Sequence, residues 1–271
     1  MLKTRIITAT VLLFGFVADL FLASFQVFAL VLAAVVSVAA WEWSRLCMLR
    51  NEHAQTAFAA VVGLVALIAL YIPYNEAFMR WVLLAGVLYW LTVPMSFYMR
   101  PRLEPFVQVQ WPLLACGALV FIVTAIALQY LRTFAPNASA YLLLYSLSIV
   151  WLMDIGAYFS GKRFGKNKLA PQISPGKTWE GVFGGLAVTV VFMLIIFISA
   201  EFAENNRFKL LIATVMAAAA SVVGDLAESR VKRAANVKDS SSILPGHGGV
   251  LDRLDGVLAA IPFFAFVWVW L

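Results

Sequence analysis

Apolar residues along this chain gather in long blocks instead of alternating with polar ones at strand or surface-helix period. Nine blocks can be drawn, at 6–21, 25–40, 57–72, 78–98, 111–131, 141–160, 182–200, 210–226 and 250–271. Each approaches the roughly 20 apolar residues that carry a helix across a bilayer. The pattern predicts an all-α integral membrane protein with about nine transmembrane helices. The first block follows Lys3 and Arg5; with no clear A-x-A site after it and more spans at once, it reads as a retained helix in preference to a cleaved signal peptide. Trp41 and Trp43 close the second block as interfacial aromatics, and Glu42, Arg45, Arg50, Glu52 and His53 read as the loop beyond it. A short turn, 73–76, joins the third and fourth blocks, and Arg100, Pro101, Arg102 and Glu104 mark the next polar loop.

Composition agrees. Of 271 residues, 63% are hydrophobic and 13% charged, about half the charge of a soluble domain. The net charge of +6 raises nucleic acid as a partner, and the placement of the bases removes it. With the N-terminus in the cytoplasm, 16 of the 20 bases fall in cytoplasmic segments, leaving Arg80, Arg132, Arg207 and Lys209 outside. That is the positive-inside distribution, so the expectation is N-terminus in and C-terminus out. Cys47 and Cys116 stand in separate apolar contexts and read as buried thiols. Residues 1–150 hold 8 bases and 5 acids with nothing clustered, whereas 151–271 hold 12 and 9, gathered in two cytoplasmic loops. The expected organisation is one domain, with scaffold helices first and chemistry second.

The first loop, 154–181, begins inside an apolar block. Asp154, with Tyr158 and Gly161 on its helix face, costs roughly 2.5–3.5 kcal/mol at the centre of a membrane helix and should face a polar cavity. Arg163, Lys166 and Lys168 read as headgroup contacts. Ser174, Gly176, Lys177 and Thr178 lead into the seventh span, where helix N-terminal N–H groups favour anions, so Lys177 is a phosphate-binding candidate. Glu180 reads as a cap for that helix. Gly181, Gly184 and Gly185 lie within the apolar helix and read as close packing. No P-loop or dinucleotide fingerprint occurs.

The second loop is richer. Glu228, Ser229 and Lys232 follow Asp225 at i+3, i+4 and i+7 on one helix face, and Asp252 and Asp255 are i and i+3 on the last helix. Two such helix ends could offer three or four carboxylates to hard cations, with Mg²⁺ the usual partner of aspartates and phosphate oxygens. Gly248 and Gly249 sit where backbone N–H groups could approach a phosphate at a helix start. His247 is either a hydrogen-bond donor or general acid, or purely structural.

The segment SRVKRAANVKDSSSILPGHGGVLDRLD, 229–255, resembles the signature of phosphatidate cytidylyltransferases (CDP-diacylglycerol synthases), with S-x-x-K-R, K-D and P-x-H-G-G-x-x-D-R-x-D in order. Asp154 with AYFSGK, and SPGKTWEG, resemble the family's upstream motifs, so the likeness covers mainly residues 150–260. It implies reaction of CTP with phosphatidic acid to CDP-diacylglycerol and pyrophosphate in the inner (plasma) membrane, the site facing the cytoplasm. It also implies Mg²⁺ and a second cation held by Asp225 and Asp252, with Asp255 a further ligand candidate. On this reading Lys232, Lys238 and His247 join the two aspartates at the reacting groups. Ser174, Lys177, Arg233, Gly248, Gly249 and Arg253 contact substrate, and Asp154 and Glu228 orient the metal or a lysine. A homodimer is compatible with the same reading. Two alternatives remain open on sequence: a related enzyme using another lipid phosphate, and an ion transporter using the buried acids as a relay.

Overall fold

The computed structural model describes residues 2–99, 103–134, 139–199 and 206–271. Arg100, Pro101, Arg102 and Ala200, assigned above to a loop and to the end of a span, lie outside them. Among the described residues are nine helices: α1 (Leu2–Leu22), α2 (Phe25–Leu46), α3 (Glu52–Tyr71), α4 (Glu76–Met99), α5 (Trp111–Thr133), α6 (Ser139–Phe164), α7 (Trp179–Ser199), α8 (Arg207–Ala234) and α9 (Leu251–Trp270). The last eight are long and apolar enough to cross a membrane; α1 carries a shorter apolar stretch, Thr10–Leu22. The protein is a multi-pass helical membrane protein. Helices are the form expected here, because in hydrocarbon every backbone N–H and C=O must be satisfied within the segment.

Several helices run past the ends of the expected spans. α2 runs on to Leu46, so Glu42 and Arg45 are helical, and α3 already includes Glu52 and His53, its start capped by Asn51, whose side chain accepts from Ala54 N at 3.1 Å. α8 continues to Ala234, about two turns past the apolar block, and keeps Asp225 through Arg233 on one rod. Hydropathy marks where the membrane ends; the backbone keeps its helical hydrogen bonds in the wetter interface beyond. The loop after α6 is also more ordered than expected. It folds into an antiparallel ribbon of β1 (Lys168–Ala170) and β2 (Ser174–Thr178), with Lys168 opposite Thr178 and Ala170 opposite Ser174.

α9 is the central element, packed against α8 most extensively and also against α4, α5, α6 and α2. Ala259, Ala260, Ile261, Phe264 and Ala265 are among its buried residues. α6 and α7 cross closely: a Cβ on Gly156 would stand 2.9 Å from the Cα of Gly185, so the small residues serve backbone approach. Successive spans alternate in direction, which brings the C-terminal ends of α2, α4, α6 and α8 to the same end of the bundle as the N-terminal ends of α3, α5, α7 and α9. Backbone bonds lock that end together: Phe106 N donates to Ala234 O at 2.9 Å and Gln110 N to Cys47 O at 3.0 Å. Trp43 Nε1 donates to Leu113 O at 2.9 Å. Cys47 is buried, Cys116 half-buried, and both are free thiols.

Candidate active site

The chemistry-bearing residues of both polar loops meet at this end. The ribbon reaches α8 through an ion pair between Lys177 Nζ and Asp225 Oδ2. Beside the pair lies a cavity of about 480 Å³ between α6, the ribbon, α7 and α8, to which Asp154, Lys162, Ser174, Lys177 and Asp225 contribute. Asp154 is exposed toward it, consistent with the cost of placing a carboxylate in hydrocarbon. Ser229 Oγ donates to Asp225 Oδ1 at 3.1 Å, an i,i+4 contact along α8.

The local geometry that presents Lys177 comes from two side chains. Thr178 Oγ1 accepts from Gly181 N at 3.1 Å and so caps α7. Glu180, expected to cap that helix, also accepts from Lys166 N and Asn167 N at 3.1 Å and from Asn167 Nδ2 at 2.7 Å. Its carboxylate ties the exit of α6 to the start of α7.

About two turns farther along, toward the polar end of α8, that helix meets α9 through Lys232. Its ammonium stands 3.1 Å from Glu228 Oε1 and 2.6 Å from Asp252 Oδ1, with all three side chains at least 90% buried. The other oxygen of Asp252, Oδ2, accepts from Ser240 N at 2.9 Å, Ser240 Oγ at 3.1 Å and Gly249 N at 2.8 Å. This bears on the role expected of Gly249. The N–H of Gly249 is taken up by Asp252 and is not free for a phosphate. Gly248 has φ +82°, where a Cβ would stand 2.7 Å from Asp252 Oδ2, so glycine is needed there for the turn to close on the aspartate.

Asp154, Asp225 and Asp255 lie within electrostatic reach of one another, and Glu228 within reach of Asp252 and Asp255. Lys177, Arg253 and Lys232 share that field. Five carboxylates thus face three bases, an excess of negative charge made only of oxygen donors, which is the chemistry that suits Mg²⁺. Among the described residues no group of three or more His, Cys, Asp or Glu side chains is placed to hold a metal ion. Asp252 is folded back onto its own turn and Glu228 faces Lys232.

The remaining expected residues lie farther out. Arg233 donates from Nη1 to Val237 O at 3.1 Å, closing the end of α8, and Lys238 is exposed. His247 sits in the turn bridged by Leu244 and Gly248, its Nδ1 buried and without a hydrogen-bond partner among the described residues. A second cavity, of about 470 Å³, lies on the other side of α8; aromatic and aliphatic residues such as Trp90, Phe97 and Phe121 line it, with Glu228 and Asp255 among them.

One residue escaped the sequence reading. Glu42, fully buried at the end of α2, accepts from Ser240 Oγ, Ser241 Oγ, Val250 N and Leu251 N. The available signal was a lone carboxylate between two tryptophans at a membrane boundary.

The chain is similar to known proteins along its length. Residues 3–271 match the model of the cytidylyltransferase family. The phosphatidate cytidylyltransferase of Pseudomonas aeruginosa is 40% identical over 265 residues, covering 98% of this chain and 96% of the relative. That of Haemophilus influenzae is 38% identical over 98% of each chain. The Bacillus subtilis enzyme of the same name is 46% identical over 123 residues, 45% of each chain. A match that runs through the helices as well as both polar loops places the whole chain, and not its signature alone, in the cytidylyltransferase family.

Proposed function

We infer that the protein transfers the cytidylyl group of CTP to phosphatidic acid, giving CDP-diacylglycerol and pyrophosphate, at the cytoplasmic face of a bacterial inner membrane. The observation that carries this reading is the junction of lysines and carboxylates at one end of a membrane-helix bundle, Lys177 on Asp225 beside a cavity and Lys232 on Asp252 two turns farther along α8. In the reaction an oxygen of the phosphatidate phosphate forms a bond to the α-phosphorus of CTP, and the bond from that phosphorus to the β-phosphate oxygen breaks. The attacking oxygen is already anionic, so neutralisation and alignment matter more than a strong base.

Lys177 stands at the cavity beside the N-terminus of α7, where its ammonium can pass from Asp225 to a phosphate oxygen. Arg253, exposed at the start of α9, adds a second positive charge near Asp154. Lys232 keeps α8 and α9 in register and neutralises the buried pair Glu228 and Asp252. Asp225, with Asp255 adjacent, and Asp252, once a cation takes the place of Lys232 at its Oδ1, would hold Mg²⁺ and a second cation, and a bound cation supplies charge neutralisation at the reacting phosphates. The apolar cavity behind α8 has the chemistry of an acyl-chain site. CTP and the lipid are the partners on this reading, nucleic acid has no part in it, and a homodimer is compatible with it.

Purified protein incubated with labelled CTP, Mg²⁺ and phosphatidic acid should yield labelled CDP-diacylglycerol, and chelation should stop it. Cation flux in proteoliposomes without any CTP turnover would overturn the reading in favour of transport.

A further inference from the structure

We propose that Glu42 is a positioning residue for the transfer reaction, acting from the first half of the chain through the turn that holds Asp252. The proposal rests on the reading above. Glu42 is fully buried, and a carboxylate in that position is costly unless hydrogen-bonded. Its four donors all belong to the segment bearing Asp252: Ser240 Oγ at 3.1 Å, Ser241 Oγ at 2.5 Å, Val250 N at 3.0 Å and Leu251 N at 2.6 Å.

Two of those donors are N–H groups at the start of α9, which lack partners within their own helix. The start of α9 has no side-chain cap of its own. A carboxylate from α2 fills that place, where the helix dipole also favours negative charge. The other two donors fix the Ser240–Ser241 turn. Ser240 Oγ lies 3.1 Å from Glu42 Oε2 and 3.1 Å from Asp252 Oδ2, so one hydroxyl proton is shared between the two carboxylates. Ser240 N also holds Asp252 Oδ2, at 2.9 Å. The orientation that leaves Asp252 Oδ1 facing Lys232 is therefore set from both ends by Glu42: through the turn before the aspartate and through the helix start beneath it.

The test uses the full-length protein in lipid nanodiscs and measures kcat per folded molecule, KM for CTP and thermal stability. Glu42→Gln keeps the volume but presents an amide N–H₂ to donors that need an acceptor. A displacement of about 1 Å at reacting groups can cost 10²-fold, so kcat should fall by roughly tenfold or more while KM for CTP stays near that of the parent. Ser241→Ala removes one donor, leaves the charge, and should lower kcat in the same sense but less; it serves as the readout if Glu42→Gln does not fold. Parent-like kcat per folded molecule in these variants, even with reduced thermal stability, would overturn the proposal and leave Glu42 a purely structural residue. An inactive parent protein would instead overturn the reaction assigned above.

Discussion

Replacing Lys232 by Met tests the buried junction between α8 and α9. Among the described residues the ammonium is the only salt-bridge partner of Glu228, 3.1 Å away, while Asp252 has three further donors from Ser240 and Gly249. Lys232 and Glu228 are 8% and 4% exposed, so solvent screens the pair little. Removing one partner of a buried ion pair costs about 3–5 kcal/mol, because the other charge is left uncompensated. Lys232→Met should therefore lower unfolding stability by about that amount, measured by equilibrium unfolding in mixed micelles. The cost should fall mainly on Glu228, so adding Glu228→Gln should recover about half of it. Adding Asp252→Asn should recover less, since it also disturbs three hydrogen bonds that survive the lysine's loss. A Lys232→Met protein within about 1 kcal/mol of the parent would refute the reasoning, and so would equal rescue by the two second-site changes.

Asp225→Asn should abolish CDP-diacylglycerol formation while leaving folded protein in the membrane, and near-normal turnover would remove Asp225 from the site. Lys177→Ala should chiefly raise the KM for substrate; unchanged KM for both CTP and phosphatidic acid would take the lysine out of phosphate binding. Gly249→Ala drives a methyl into Ser240 Oγ and the Glu42 carboxylate, an overpacking worth about 1–3 kcal/mol. Gly176→Ala, whose Cβ would meet nothing within 4 Å, is its neutral control in the same thermal assay.

Much of this protein was legible without coordinates. Bilayer thickness makes a span visible as a block of about 20 apolar residues, and the cost of charge in hydrocarbon makes Asp154, Asp225, Asp252 and Asp255 conspicuous. Helical spacing placed Asp225, Ser229 and Lys232 on one face, and α8 carries them there. The family signature spoke to the class of chemistry. These are properties of one segment in one environment, and a sequence records them.

What joins segments was not legible. That Lys177 meets Asp225 and Lys232 meets Asp252 depends on how α7, α8 and α9 pack, since both pairs cross between elements. The glycines of the last turn looked like a phosphate cradle because a flexible backbone is all that sequence shows; only the fold reveals that Gly249 N–H already has Asp252 as its acceptor. Glu42 is the sharpest case. Read along the chain it is one acid in a loop of scaffold; in the bundle, alternating spans bring the end of α2 beside the start of α9, about 200 residues later. A carboxylate's partners are set by distance through space, and only the tertiary structure decides that distance.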